Sequence, residues 1–259
     1  MSDLESKKEI AITKELARRL QGKFPEFQIY ANKCPSRSKK VKGMWNELFH
    51  EPCPPLQPEI DIIILEPSNP HILPLRPKIR AIEVKYFNKD RGAINQSFYV
   101  GIEQSLALLK WGFDNVALWQ LFDETCTLDD IRNYGCKTWT YIHVLLGLPI
   151  EFTPIRLIGN KLANIRFQVI QANWFDNLRP IELLDIDDPG FHFSYTHPNP
   201  LVNENIIRER FAFRPQIGNE VIIPPQIKKW LKEVAILRQF LLNWLPQARH
   251  GLNKQTRKD

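Results

Sequence analysis

The sequence has no long apolar run: 43% of its 259 residues are hydrophobic, yet no segment approaches the roughly 18 uncharged residues of a membrane-spanning helix. Cysteine is scarce, with four residues and no CxxC pair of the kind that structural zinc sites use. The polar N-terminus lacks the apolar stretch of a secretory signal. We therefore expect a cytoplasmic protein with free thiols and no membrane contact.

Familiar nucleic-acid-binding motifs are also missing, because the sequence shows no helix-turn-helix, zinc finger or glycine-rich phosphate loop. Basic residues are nevertheless in excess, with a formal net charge of +6 and a pI near 9.1. This excess fits a polyanionic partner. Residues 33–42 hold several basic side chains and no acid, and 249–258 hold a second basic group. A solvated loop and a solvated tail are the simpler interpretations of the two segments.

Charged residues interrupt two apolar, β-branched runs. Asp61 lies in the run 60–65, and Glu83 and Lys85 flank Val84 in the next run. Burying a charge in such a run is costly unless the charge is paired or has a function. These positions are therefore the primary candidates for a functional site.

Hydrophobic periodicity predicts an alternation of helices and strands. The predicted elements are a helix over 4–22, a short strand over 27–30, strands over 59–65 and 79–87, a helix over 93–111, a strand over 116–122, and one long strand or a strand pair over 138–148. Prolines in the segments 52–58 and 67–77 predict loops there. Trp45 and Phe49 fall in a predicted loop but are spaced for a short helix.

The order of these elements predicts an α/β fold with a mixed central sheet flanked by helices. Strand, helix and strand over 79–122 predict a parallel crossover, and the hairpin before them predicts antiparallel pairing. We expect this core in residues 1–150. Residues 151–259 are predicted to be a C-terminal extension for DNA binding or oligomerisation, ending in an amphipathic helix.

The C-terminal helix is predicted over 224–245. Pro224 and Pro225 stand where a helix tolerates proline, and Pro246 is expected to end it. Its apolar spacing favours packing against the body of the chain, and a homodimer or a protein partner is the alternative.

The interrupted strands have the residues of a metal site. Glu83 and Lys85 point to one face of a strand, and a suitable hairpin register places Asp61 beside Glu83. The two carboxylates can then hold Mg²⁺, or Mn²⁺ in its place, with the Val84 carbonyl as a third oxygen. Lys85 can orient or activate the attacking water. The simpler alternative is a Glu83–Lys85 salt bridge and an independent Asp61 on the surface.

Asp61 and Glu83-Val84-Lys85, placed after an opening helix and before a long helix, resemble the motif of the PD-(D/E)XK nuclease superfamily. That superfamily includes restriction endonucleases and Holliday-junction resolvases. The resemblance covers about residues 5–145 and implies a restriction-endonuclease-like core that cuts DNA. The usual motif has the acid directly after proline, whereas Asp61 is three residues after Pro58, so Glu59 is an alternative ligand.

The resemblance also implies two further site residues. A glutamate on the first helix often lies near the metal in this superfamily, and Glu9 and Glu15 are the candidates here. A glutamine on the helix after the lysine is also common, and Gln104 matches it as a candidate catalytic residue. Ordinary helix-surface positions are the alternative for all three.

A nuclease must also hold the phosphate backbone, which lysine and arginine do independently of base sequence. The predicted nucleic-acid-binding residues are Lys39, Lys40, Lys42, Lys89 and Arg91. Trp45 and Phe49 can stack on bases or pack in the core. The arginines near 208–214 can form a basic strand face, whereas His192 and His197 are interpreted as structural.

The sequence therefore predicts a magnesium-dependent endodeoxyribonuclease. The alternative is a non-catalytic nucleic-acid-binding or assembly subunit on a nuclease-like fold, because a fold does not determine a function.

Overall fold

The computed structural model describes residues 3–50, 52–53, 59–67, 78–159, 162–171, 182–193, 197–202 and 225–248. Several sequence predictions fall outside the described residues. These are most of the prolines in the two loops, the arginines near 208–214, Pro224 and the basic group at 249–258.

The described chain alternates helices and strands. In chain order the elements are α1 (Asp3–Lys23), β1 (Gln28–Lys33), α2 (Lys39–Phe49), β2 (Ile60–Glu66), β3 (Lys78–Phe87), β4 (Lys89–Asp90), β5 (Ala93–Ile94), α3 (Ile102–Lys110), β6 (Asn115–Phe122), α4 (Leu128–Trp139), β7 (Ile150–Ile158), β8 (Arg166–Gln171), β9 (Glu182–Asp185) and α5 (Pro225–Ala248). Short 3₁₀ turns at Pro35–Arg37 and Leu162–Asn164 and a π-helical segment at Thr140–Leu145 complete them.

A seven-stranded sheet forms the centre of the described structure, in the order β1-β2-β3-β6-β7-β8-β9. β3 and β6 run parallel, as do β6 and β7, and the other neighbours are antiparallel. The predicted α/β fold with a mixed central sheet is therefore confirmed, including the crossover through α3. Strands β7 to β9, from the predicted C-terminal extension, belong to the same sheet.

Helices cover both faces of the sheet because β2, β3 and β6 are apolar on both sides. On one face, α1 packs Ile12 and Leu16 against alternate residues of these strands, such as Ile62 and Val84. On the other face, α2, α3 and α5 pack against the intervening residues, such as Ile63. Asp61, Glu83 and Lys85 in these strands are therefore buried.

The predicted helix over 93–111 is wrong in its first half, because the helix begins only at Ile102. The small hairpin of β4 and β5 occupies part of that segment, and its turn contains Gly92 at φ 86°. Gly101, at φ 93°, then precedes the helix. Backbone at these positive φ values interrupts a helix and favours glycine, so two glycines override the apolar spacing.

The predicted strand over 138–148 is also wrong. Helix α4 begins ten residues earlier at Leu128 and continues into the π-helical segment. Thr127 and Asp130 form a reciprocal capping box at its start, and such a box favours helix whatever the β-branched content further on.

Helix α5 continues to Ala248, so Pro246 does not end it. A proline near the C-terminal end of a helix removes only one hydrogen bond of the last turns, which makes it tolerable there. Val234, Leu237, Leu241 and Leu245 are buried along one side of this helix, and Trp230 lies against Phe49 of α2 with 5.1 Å between the ring centres.

Candidate active site

Strands β2 and β3 separate before β3 ends. Their pairing reaches only to Ile62–Ile82, although β2 still pairs with β1 at Lys33–Ile60. β3 continues beside β6 as far as Phe87. The second half of β3 therefore has a strand on one side only, and its other edge carries backbone groups that need partners.

Carboxylates supply the partners at this edge. Asp61 Oδ2 accepts the backbone N–H of Val84 at 2.7 Å, and Glu9 Oε2 on α1 accepts the N–H of Tyr86 at 3.2 Å. Gln96 Nε2 donates to the carbonyl of Tyr86 at 2.6 Å. Because the N–H and C=O of one strand residue face the same neighbour, the Val84 carbonyl is directed to this edge too.

Glu83 and Lys85 lie next to this gap on the face that also holds Ile63. One step beyond the Ile62–Ile82 pair, the antiparallel register places Asp61 opposite Glu83. Lys85 Nζ is 2.6 Å from Glu83 Oε1, and both residues are more than 90% buried. The structure thus brings Asp61, Glu83 and Lys85 together, with Glu9 from the opening helix.

Burial dominates the electrostatics of this cluster. It raises the pKa of Glu83 to about 7, against the opposing effect of Lys85, and raises the pKa of Glu9. Burial and the charge of Glu83 raise the pKa of Asp61 well above its ordinary value. Burial lowers the pKa of Lys85, but Glu83, Asp61 and Glu9 outweigh it and raise that pKa. Three carboxylates therefore share one ammonium in a buried site.

This charge balance fits a divalent cation. With all groups ionised, three carboxylates and one ammonium leave two negative charges uncompensated, and the candidate ligands are oxygen atoms. Hard cations such as Mg²⁺ prefer oxygen ligands and need few from the protein. The described residues contain no group of three His, Cys, Asp or Glu side chains arranged to hold a metal. The fit therefore depends on Asp61, Glu83 and the Val84 carbonyl, with waters completing the coordination.

Two further residues surround the stem of Lys85. Gln120 of β6 is paired in register with Lys85 and is fully buried. A Cβ atom built on Gly101 would come within 2.9 Å of Lys85 Cγ. Sequence reasoning missed both. Gln120 had a usable signal, because it is a polar residue inside the apolar run 116–122, as Asp61 is in its own run.

The alternative acids lie elsewhere. Glu15 forms ion pairs with Arg18 at 2.6 Å and Arg19 at 3.1 Å, which hold it on the outer side of α1. Glu59 pairs with Arg37 at 3.0 Å. Of the two alternatives left open by the sequence, the structure therefore favours Glu9 over Glu15 and Asp61 over Glu59. Gln104 is half-buried on α3, and its catalytic assignment stays a prediction.

The basic candidates are in two groups. Lys39, Lys40 and Lys42 are exposed at the start of α2, a few residues after the Arg37–Glu59 ion pair beside β2. Lys89 is 2.9 Å from Asp130 of α4, and Arg91 is exposed in the β4–β5 turn.

The aromatic candidates differ in burial. Trp45 is fully buried, with 4.7 Å between its ring centre and that of Trp111, so it packs in the core and does not stack on bases. Phe49 is half-buried against Trp45 and Trp230. His197 stacks on His143 at 4.4 Å between ring centres.

No protein-family model matches the sequence, and comparisons with curated proteins and with solved structures find no match. Within the described residues, none of the helices combines the length and the apolar character needed to cross a membrane.

Proposed function

We propose that this protein is a metal-dependent endonuclease that hydrolyses DNA phosphodiester bonds. The observation that carries the proposal is the cluster of Asp61, Glu83 and Lys85 at the point where two central strands separate, with Glu9 beside them. Burying a charge costs free energy. A structural salt bridge between Lys85 and Glu83 would need neither the carboxylate of Asp61 nor that of Glu9.

The proposal includes the PD-(D/E)XK assignment and a restriction-endonuclease-like core. Supporting it are the motif residues and the order of elements around them: an opening helix, a hairpin that carries the acids and the lysine, a helix and a parallel strand. The proposed setting is cytoplasmic, and α5 is the proposed contact for a homodimer or a protein partner.

In the proposed mechanism, Asp61, Glu83 and the Val84 carbonyl would hold Mg²⁺ or Mn²⁺, which would offset charge on the phosphate and lower the pKa of the attacking water. Hydrolysis joins the oxygen of a water to phosphorus and releases one ester oxygen, which takes up a proton.

Without a metal, the surrounding carboxylates raise the pKa of Lys85 and keep it an ammonium. As an ammonium it would donate hydrogen bonds that orient the water or a phosphate oxygen, and it would offset the negative charge that develops in the transition state. Activation of the water by Lys85 is the alternative role, because a cation bound to the same carboxylates would lower this pKa.

Cleavage of supercoiled plasmid and branched DNA with Mg²⁺ or Mn²⁺ tests the proposal. D61N, E83Q and K85A should each lower the cleavage rate by about 100-fold or more. Matched controls are E15Q and K14A, since Glu15 is in surface ion pairs and Lys14 is exposed. Circular dichroism verifies that each variant is folded.

Equal cleavage by the parent and all three site variants would overturn the assignment. A parent protein that binds DNA but cuts none of the linear, single-stranded or branched substrates would also overturn it. That result would favour a non-catalytic nucleic-acid-binding subunit on this fold.

A further inference from the structure

Gly101 touches the lysine of the candidate site in a way that leaves no room for a side chain. A Cβ atom at this position would lie 2.9 Å from Lys85 Cγ and 3.4 Å from Lys85 Cε. It would also lie 2.6 Å from Leu118 Cδ1, in a well-packed part of the core. The backbone of Gly101 therefore lies directly against the aliphatic stem of Lys85.

Side chains from the sheet and from α4 hold the segment that ends in Gly101. Gln120 Nε2 donates to the carbonyl of Phe98 at 2.8 Å, and Thr138 Oγ1 lies 2.9 Å from the same carbonyl and 2.9 Å from that of Tyr134, either of which can accept its one hydrogen. Thr138 Oγ1 also lies 3.3 Å from Gln120 Oε1. Gln120 and Thr138 are both fully buried, so these bonds are shielded from competing water.

The same segment is fastened at its beginning. Gln96 donates to the Tyr86 carbonyl, and the Asn95 N–H donates to the Asn88 carbonyl at 3.0 Å, both beside the end of β3. Residues 95–101, which we name the clamp segment, are thus held at Asn95, Gln96 and Phe98, and the segment ends at Gly101 against the stem of Lys85.

We propose that Gly101 and Gln120 are positioning residues for Lys85. Gln120 fixes the distance of the clamp segment from the sheet through its hydrogen bond to Phe98. Gly101 lets the backbone approach the Lys85 side chain closely enough to restrict the rotamers of Lys85. The ammonium is then held 2.6 Å from Glu83, at the edge where Asp61 caps β3. The consequence for catalysis depends on the proposed function, whereas the restraint on Lys85 does not.

Lysine footprinting tests the restraint without any assay of activity. Lys85 in the parent protein should react slowly with a water-soluble amine-acylating reagent, as measured by peptide mass spectrometry. G101A should raise its labelling rate by at least about threefold, because the new methyl group displaces the stem and opens the cluster. The exposed Lys14 and Lys110 serve as internal references.

A matched variant separates contact from backbone strain. Gly92 has φ 86°, close to the 93° of Gly101, but a Cβ there would meet nothing within 4 Å. G92A should therefore leave Lys85 labelling unchanged while imposing similar backbone strain. Equal labelling of Lys85 in G101A and the parent, or equal acceleration in G92A, would overturn the proposal.

Q120M gives a second route should G101A fail to fold. Methionine has nearly the shape of glutamine but cannot donate to Phe98, so Lys85 labelling should again rise. Unchanged labelling in a folded Q120M would count against the role of Gln120.

Single-turnover cleavage then tests the catalytic consequence. Q120M and G101A should lower the cleavage rate by roughly tenfold and change the Kd for DNA by less than about twofold. A parallel loss of DNA binding would indicate a merely structural defect and overturn the catalytic part. If the parent protein cuts no DNA, the proposed function fails, and the footprinting result still decides whether Lys85 is restrained.

Discussion

Asp61 Oδ2 accepts the backbone N–H of Val84 at 2.7 Å, in the position that a carbonyl of a neighbouring strand would occupy in an uninterrupted sheet. The side chain of one candidate ligand is thereby bonded to the backbone of another. Val84 also lies between Glu83 and Lys85, so this hydrogen bond joins Asp61 to the strand segment that carries the other two side chains. Strands β2 and β3 therefore bring the three side chains together, while Glu9 of α1 and the clamp segment complete their surroundings.

The first prediction concerns stability and pH. Burial raises the pKa of Glu83 from 4.5 to about 7, so the native state binds a proton that the unfolded state has already lost within this range. The free energy of unfolding of the metal-free protein should therefore fall as pH rises from about 4.5 to about 7, by on the order of 3 kcal/mol from Glu83. Urea titrations at several pH values measure this slope.

E83Q should reduce that slope and leave the part that comes from Asp61 and Glu9, whose pKa values are also raised by burial. E15Q is the control, because arginine neighbours lower the pKa of Glu15. The contribution of Glu15 to the free energy of unfolding therefore rises with pH, whereas that of Glu83 falls. An E83Q slope equal to that of the parent would contradict the prediction.

The second prediction concerns metal binding. A ligand that binds only the native state stabilises it, by about 1.4 kcal/mol when its concentration is ten times its Kd. Mg²⁺ should raise the Tm of the parent protein at pH 8 and have little effect on D61N or E83Q. NaCl at matched ionic strength is the control in thermal-shift measurements. Equal shifts in all three proteins would show that the ion acts elsewhere.

The third prediction concerns the start of α2. Each lysine that contacts a phosphate contributes roughly 0.9 to the slope of log Kd against log salt concentration. K39A/K40A/K42A should weaken DNA binding and reduce this slope. Fluorescence anisotropy with D61N as the background protein measures binding without cleavage.

A charge-matched control for α2 is K14A/K228A/K232A, which removes three exposed lysines from α1 and α5. This variant should have the same slope of log Kd against log salt concentration as the D61N background protein. An equal loss of slope in both triple variants would indicate that only the net charge matters.

The fourth prediction concerns a buried arginine outside the candidate site. Arg80 on β3 is 1% exposed, makes an ion pair with Glu151, and lies 3.5 Å from Glu66. R80M leaves two buried carboxylates without this partner and should lower the free energy of unfolding by roughly 3–5 kcal/mol. R18M, which removes an exposed partner of Glu15, should have no measurable effect in the same denaturant titrations.

The sequence predicted the centre of this fold well because burial leaves a strong pattern there. Strands β2, β3 and β6 are mostly apolar runs, and charges inside β2 and β3 marked Asp61, Glu83 and Lys85. The choice between Glu9 and Glu15 was not accessible, because it depends on how α1 is rotated over the sheet. That rotation is set by packing around Ile12 and Leu16.

The errors have local physical causes. The capping box of Thr127 and Asp130 starts a helix where apolar content suggested a strand, and the positive φ of Gly101 stops helical continuity where apolar spacing suggested a longer helix. The approach of Gly101 to Lys85 is a tertiary contact, and spacing in the sequence carries no trace of it.

Among the described residues, β3 has no neighbouring strand on its Asp61 side beyond Ile82, and this edge also bears on solubility. A strand edge with free hydrogen-bonding groups can recruit a strand from a second molecule and begin aggregation. Asp61 and Glu9 accept from the N–H groups of Val84 and Tyr86, and their oxygen atoms repel an incoming backbone carbonyl. The same acids would therefore protect the protein from self-association, so amide substitutions, which keep a hydrogen-bond acceptor, should preserve solubility better than alanine does.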